Sequence, residues 1–328
     1  MVKFSIMTAL DPNAPVTDVV DVAKATEEAG FDTLWLWDSW ASKDVNIGLA
    51  LAAQHTRTLK LATGVSPTPL RHSALLVNSI ATVDDISDGR AILGIGCGGQ
   101  ATVGRLGVRK ARIAEFRSEM QLIRFLLAGG QVDEDGKLYQ IESVSRPVPV
   151  YTAVWGPRMQ TVSGELADGV IIMGPEQPAV FADKMARVRA GASDAGRNPD
   201  EVKLVLQVTG AYADDPTPFI DKYKSLAIHH MQRLGYEKEY PQEFAPLFDR
   251  VRQHVENIAM PEGESPGTEL IPDEFVKHAM MVGTEEECVE RMRSLIAIEP
   301  DEIVFSIGYA TVADIEKFAN LVRKSVAA

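Results

Sequence analysis

Asp38, Cys97 and a set of glycines stand at the points in this chain where chemistry is most readily placed. Each follows a short apolar run. The runs end in Trp37-Asp38-Ser39-Trp40, Thr63-Gly64-Val65-Ser66-Pro67, Gly96-Cys97-Gly98-Gly99-Gln100, Trp155-Gly156-Pro157-Arg158-Met159 and Met173-Gly174. A carboxylate just past a buried strand can hydrogen-bond a bound ring or substrate. It can equally cap a helix or pair with a loop cation. Gly156 and the helix it opens offer backbone N–H groups and a favourable dipole to a phosphate. Trp37, Trp40 and Trp155 are able to wall an aromatic pocket, with Trp37 equally suited to the core. Cys97 reads as a small packing residue within a glycine loop, a reactive thiol being the alternative. Arg105, Arg109, Lys110 and Arg112 follow that loop with no acid among residues 105–112. They suit either an anionic ligand or a solvated helix start. His72 reads as structural or as a ligand contact. His229 and His230 lie about 100° apart on a helix, which disfavours a shared metal.

The elements that must position these residues alternate. Strand-like segments are predicted at Lys3–Met7, Thr33–Trp37, Leu59–Val65, Ala91–Ile95, Val148–Val154, Gly169–Met173, Val202–Ala211 and Glu302–Ile307. Helical periodicity separates them. Strands alternating with helices imply a parallel sheet with right-handed crossovers, and eight units favour closure into a (β/α)₈ barrel. All the residues above then share the C-terminal rim, where barrels bind ligands. Residues 214–273 break the rhythm with seven prolines and helical stretches at 219–234 and 244–258. They read as a helical insertion after strand seven of one barrel domain spanning 1–328. A lid, a dimer contact and a purely structural role all suit it.

Composition narrows the function classes. The 328 residues are 45% hydrophobic and 24% charged, ordinary for a globular protein. A net charge of -13 disfavours nucleic acid and anionic membranes as partners, though not a small anion in a local basic pocket. Two distant cysteines form no disulfide framework or metal spacing, which fits the cytoplasm. No run approaches the ~20 apolar residues of a membrane span, and the N-terminus enters a strand pattern with no secretion signal. Phosphate-loop, zinc-protease and nucleophile-elbow motifs are missing. Gly94-Ile95-Gly96 ends a strand rather than opening a dinucleotide helix, which disfavours a Rossmann nicotinamide site.

Several longer motifs resemble one family. Asp32-Thr33-Leu34-Trp35-Leu36-Trp37-Asp38, the run Asp88 to Gly96, Gly156-Pro157-Arg158-Met159 with Ala167-Asp168-Gly169-Val170, and Val282 to Glu286 with Asp301 to Phe305 are similar to the bacterial-luciferase-like flavin and deazaflavin oxidoreductases. The resemblance covers almost the whole chain outside the insertion. It implies a TIM barrel and a hydride-transferring enzyme. The Gly64-Val65 strand end and the Gly96 to Gly99 loop look more like the branch that uses coenzyme F420, which includes the methylenetetrahydromethanopterin reductases. That branch carries a non-prolyl cis peptide at the Gly64-Val65 position and a cofactor-proximal acid where Asp38 stands. The resemblance thus implies Asp38 in a catalytic role. It implies cofactor binding by Asp38, Gly64, Val65, Ser66, Cys97, Gly98, Gly99, Gln100, Trp155, Gly156, Pro157, Arg158 and Met159, with no metal. The phosphodiester and glutamate tail of F420 would suit the Arg105 to Arg112 strip. The expected reaction moves a hydride between F420 and a small carbonyl, alcohol, imine or activated alkene. The alternatives are an FMN-dependent monooxygenase using oxygen and a non-catalytic flavin-binding barrel. A homodimer is the expected assembly. Two departures limit the match to named activities. Ser39 stands where the sugar-phosphate dehydrogenases carry histidine, and Met7-Thr8 stand where the methanopterin reductases carry a carboxylate.

Overall fold

The computed structural model describes residues 1–99, 103–231, 236–254 and 266–327. Eight strands run parallel: β1 (Lys3–Thr8), β2 (Thr33–Leu36), β3 (Lys60–Thr63), β4 (Ala91–Gly96), β5 (Val150–Val154), β6 (Gly169–Ile172), β7 (Lys203–Tyr212) and β8 (Glu302–Ile307). Each pairs with the next, and β8 returns to β1 with Lys3 opposite Glu302 and Thr8 opposite Ile307. The sheet has therefore closed into the expected (β/α)₈ barrel. A parallel strand in a closed barrel is buried on both faces, which is why these segments read as continuous apolar runs. Leu34, Leu61, Leu93, Leu206 and Phe305 face the surrounding helices. Met7, Trp35, Ala62, Ile171, Val205 and Val304 fill the lumen.

The helices follow their caps. They are α1 (Val19–Glu28), α2 (Val45–His55), α3 (Ser73–Ser87), α4 (Ile113–Leu127), α5 (Pro157–Leu166) and α6 (Pro178–Asp194), with α10 (Glu285–Ile296) and α11 (Val312–Val326) closing the chain. Asp44 opens α2 by accepting the Asn46 and Ile47 N–H groups. His72 opens α3 by accepting the Ala74 N–H at 3.2 Å, so its Nδ1 serves structure. Gly94 is required where β3 and β4 meet, because a Cβ there would lie 2.0 Å from the Thr63 carbonyl oxygen.

Between β7 and α10 lie α7 (Thr217–Met231), α8 (Ala245–His254), α9 (Asp273–Ala279) and a short strand, Met281–Gly283, parallel to the end of β7. These helices bury an apolar cluster of their own that includes Ile228, Phe248, Val251 and Phe275. The expected helices at 219–234 and 244–258 extend past Met231 and His254 into residues outside those described. A hairpin pairing Val132–Glu134 with Lys137–Tyr139 is an element the periodicity did not predict. Its turn residues, Asp135 and Gly136, both take positive φ.

Two buried polar side chains stitch this helical stretch to the barrel. Glu176, just past β6, accepts the Thr209 N–H at 2.5 Å and the Met281 N–H at 2.6 Å. Lys184 of α6, 1% exposed, donates to the Met173 carbonyl at 2.8 Å and pairs with Glu239 at 2.7 Å.

Candidate active site

The strand ends carry the sequence-predicted residues to one rim in two touching groups. The first gathers around Asp38. Its carboxylate accepts the Ser66 hydroxyl at 2.7 Å and lies 3.5 Å from the Arg71 guanidinium. Arg71 is shared with the α2 cap, donating to Asp44 at 3.1 Å. Helix capping thus falls to Asp44, and Asp38 is left in the pairing with Ser66 and Arg71. Burial raises the Asp38 carboxyl above the ordinary carboxylate range, against the opposing pull of the Ser66 hydrogen bond and the Arg71 charge. The Gly64–Val65 peptide beside it is cis. A Cβ on Gly64 would come within 3.0 Å of the Trp35 Cβ, so a larger residue there would press on the lumen side chains.

The second group gathers around Cys97. Its thiol lies 3.8 Å from the Met159 sulfur, which brings the β4 loop against the first turn of α5. Burial first, and then the Glu119 charge, push the thiol up to about 11. At neutral pH it is a protonated packing group. Gly98 takes φ +76°, and a Cβ there would fall 2.6 Å from Val103 Cγ1. Gly99 accepts the Val103 N–H at 2.9 Å. Gln100 lies outside the described residues. Val65 joins the two groups, since a Cβ on Gly96 would sit 3.0 Å from its Cγ2.

The remaining predicted residues spread outward along the rim. Trp155 turns to the helical insertion, edge-on to His230 at 4.8 Å and to Tyr236 at 5.4 Å. His230 is thus an aromatic packing partner of Trp155. Gly156 caps α5 without a side-chain bond, and Pro157 occupies its first helical position. The Met159 and Gln160 N–H groups both return to the Gly156 carbonyl at 3.1 Å. The first turn thus offers an anion fewer donors than the sequence suggested. Arg158 points to a surface groove between α4 and α5, beside Arg117 and Ser118. In the basic strip, Arg109 is already gripped by both oxygens of Glu115 at 2.9 Å.

Sequence reading missed the inward faces of the last two strands. Gln207, Thr209 and Ser306 continue the lumen rows of Val205 and Val304 by the two-residue period of a strand. They bring uncharged polar groups to the mouth opposite β2 and β3. A Cβ placed on Gly156 or Gly308 meets no atom within 4 Å, so these rim positions open onto free space. Among the described residues no group of three or more His, Cys, Asp or Glu is placed to hold a metal. No helix among them is long and apolar enough to cross a membrane.

Comparison with known proteins gives this geometry a context. The family model of the luciferase-like monooxygenases matches residues 2–301. The 5,10-methylenetetrahydromethanopterin reductase of Methanolobus tindarius is 36% identical over 199 residues, a match covering 59% of this chain and 61% of that one. The F420-dependent glucose-6-phosphate dehydrogenase of Nocardia farcinica is 26% identical over 332 residues, covering 94% of this chain and 93% of that one. Among solved structures, the coenzyme F420-dependent tetrahydromethanopterin reductase of Methanopyrus kandleri superposes with a TM-score of 0.73 at 23% identity, covering 97% of each chain.

Proposed function

The chain belongs to the luciferase-like monooxygenase family, and from that membership we propose an oxidoreductase that moves a hydride between coenzyme F420 and a small organic substrate. The similarity to F420-dependent enzymes across nearly the full chain supports the choice of coenzyme. The observation that carries the reading is the rim itself. The half-buried Asp38 carboxyl, held by Ser66, stands beside the glycine-lined Gly64-Val65 turn, and Cys97 meets Met159 next to it.

The residues present fit such a group. The rim opens to free space at Gly156 and Gly308, where a Cβ would meet nothing within 4 Å. Bound F420 would supply or accept the hydride. Gly64, Val65 and Ser66 would bound one side of its ring, with Gly98 and Gly99 beside them. Asp38, raised by burial, would hold or release a proton near the ring. Trp155, seated on His230 and Tyr236, would wall the other side, and the insertion helices behind it would exclude water as a lid does. Catalysis then rests on orientation and on a water-poor mouth. No covalent nucleophile is needed, and Cys97, protonated at neutral pH, supplies none.

Titration of the purified chain with F420 and, separately, with FMN tests the reading. The expected result is saturable quenching of F420 fluorescence, with FMN bound at least ten-fold more weakly. Tighter binding of FMN, with oxygen consumed on its reduction, would overturn it.

A further inference from the structure

Three polar side chains inside the barrel mouth belong to none of the networks that hold the fold together. β7 alternates strictly. Leu204, Leu206, Val208 and Tyr212 pack outward under the helices, and Val205 packs in the lumen. Gln207 and Thr209 therefore share the lumen face of Val205. In β8, Ile303 and Phe305 face outward and Val304 inward, which turns Ser306 into the lumen. Thr209 and Ser306 are register partners on adjacent strands. The three groups form one patch across β7 and β8, opposite the β2 and β3 ends that carry Asp38 and Val65.

No side-chain hydrogen bond joins Gln207, Thr209 or Ser306 to any described residue, although Ser306 is only 5% exposed. None of their polar atoms is sealed in the core, so each is free to bond a molecule that enters the mouth. Three cations of the rim and the insertion seam are committed elsewhere. Lys184 holds the Met173 carbonyl and Glu239. Arg71 holds Asp38 and Asp44. Arg291 holds the carbonyls of Lys277, His278 and Met280. The patch itself thus presents an amide and two hydroxyls, each able to donate and accept, and carries no charge.

We propose that Gln207, Thr209 and Ser306 form the substrate subsite, and that it takes the carbonyl or hydroxyl end of an uncharged substrate rather than a phosphate or carboxylate. A neutral oxygen completes the bonds of these groups. A phosphate would bring a dianion against a patch that carries no charge of its own. The subsite rests on the proposed hydride chemistry for its purpose, but its chemistry is read from this patch alone.

Gln207→Leu and Ser306→Ala test it in two arms. In the first, unfolding of the full chain is followed by heat without any ligand. A substrate-reserved patch predicts that both variants melt near the wild-type temperature, since neither removes a hydrogen bond that holds the fold. A fall of several degrees in both would assign them a structural role and overturn the subsite. The second arm uses F420-loaded enzyme with cyclohexanol and with glucose 6-phosphate. The expected result is oxidation of cyclohexanol only, with KM raised about ten-fold in each variant and the Kd for F420 unchanged. Oxidation of glucose 6-phosphate with a KM indifferent to Gln207→Leu would overturn the subsite. Failure of F420 to bind at all would instead remove the proposed coenzyme, and the melting arm would still decide the role of the patch.

Discussion

The two ends of the barrel handle polar groups in opposite ways. At the N-terminal end the charges at the strand starts are partnered. Asp32 sits between Lys3 at 2.7 Å and Lys60 at 3.2 Å. Asp168 takes Arg124 at 2.7 Å and the Val150 N–H at 2.8 Å. Asp301 takes Lys203 at 3.2 Å and the Leu204 N–H at 2.9 Å. Glu302, buried in the lumen floor, accepts the Trp35 indole N–H at 3.1 Å. At the C-terminal end the polar groups divide. Those at the seam with the insertion, Lys184 and Glu176, are saturated. Those facing the lumen, Gln207 and Ser306, have no partner among the described residues. Polar groups that the fold leaves facing the open mouth lie at the end where barrels bind ligands.

Breaking a saturated seam group should give the largest effect. Lys184→Met leaves the Glu239 carboxylate half-buried beside an apolar side chain and removes the bond that holds the Met173 carbonyl. Removing one partner of a buried ion pair costs roughly 3–5 kcal/mol. Urea unfolding should show a loss of that size, against no loss for Ser306→Ala. Equal losses in the two variants would erase the distinction between seam and lumen.

Glu176 tests the seam by pH. Complete burial pushes its carboxyl up to about 8 from an ordinary 4.5, although two backbone N–H groups and Arg291 pull the other way. A carboxyl that holds its proton more tightly when folded makes stability fall as pH rises between those two values. Unfolding free energy should therefore decline from about pH 4.5 to about 8, by up to a few kcal/mol. In Glu176→Gln the slope should flatten. The variant loses an acceptor for one backbone N–H, so its deficit should be greatest at low pH and narrow as pH rises. An identical slope in both proteins would show that another group governs this window.

The sequence made the barrel legible because the property that identifies its strands is local. A strand buried on both faces is an apolar run whatever its neighbours are. The rim was legible for a similar reason, since glycine and proline mark each run's end, and Asp38, Cys97 and Met159 follow those ends. The lumen patch was not legible. Whether Gln207 or Val208 points inward depends on strand parity within a closed barrel, and both faces of β7 are largely apolar. Lys184 did leave a trace. It interrupts the apolar stripe of α6 between Phe181, Met185 and Val188, all buried, and a lysine there calls for a buried partner. The hairpin also left one, in Asp135-Gly136 between two apolar-bearing triplets, a residue pair suited to a tight turn.

Asp38 stands between the two classes, with partners on one side and the mouth on the other. Asp38→Asn keeps an acceptor for Ser66 and removes the charge facing Arg71. If Asp38 belongs to the ligand side, F420 affinity should fall about ten-fold, equivalent to about 1.4 kcal/mol, with a smaller change in stability. The same variant should lose any pH dependence of binding that arises from ionisation of this raised carboxyl. Unchanged F420 affinity together with a large stability loss would move Asp38 to the structural class.

The smallest effect is expected from the basic strip after the β4 loop, which in sequence reads as a run of four cations in an acidic protein. In the structure Arg109 is bidentate to Glu115, and Glu115 also accepts the Arg112 N–H at 2.7 Å. The Arg109 guanidinium and that backbone donor hold the Glu115 carboxyl down to about 2. Glu115 is therefore ionised throughout the working range and offsets one of the four charges. All these groups lie at the surface, where salt screens them over about 8 Å. Arg109→Ala should then weaken F420 binding by no more than about three-fold, even at low salt. Lys110→Ala, which removes a cation that pairs with no described acid, should weaken it more and flatten its salt dependence. Glu115→Gln releases Arg109 and should tighten binding if the strip meets the coenzyme's anionic tail. Measuring all three at two salt concentrations separates the cases. A tail bound at the strip gives opposite signs for Lys110→Ala and Glu115→Gln, whereas a solvated helix start leaves all three at the wild-type affinity.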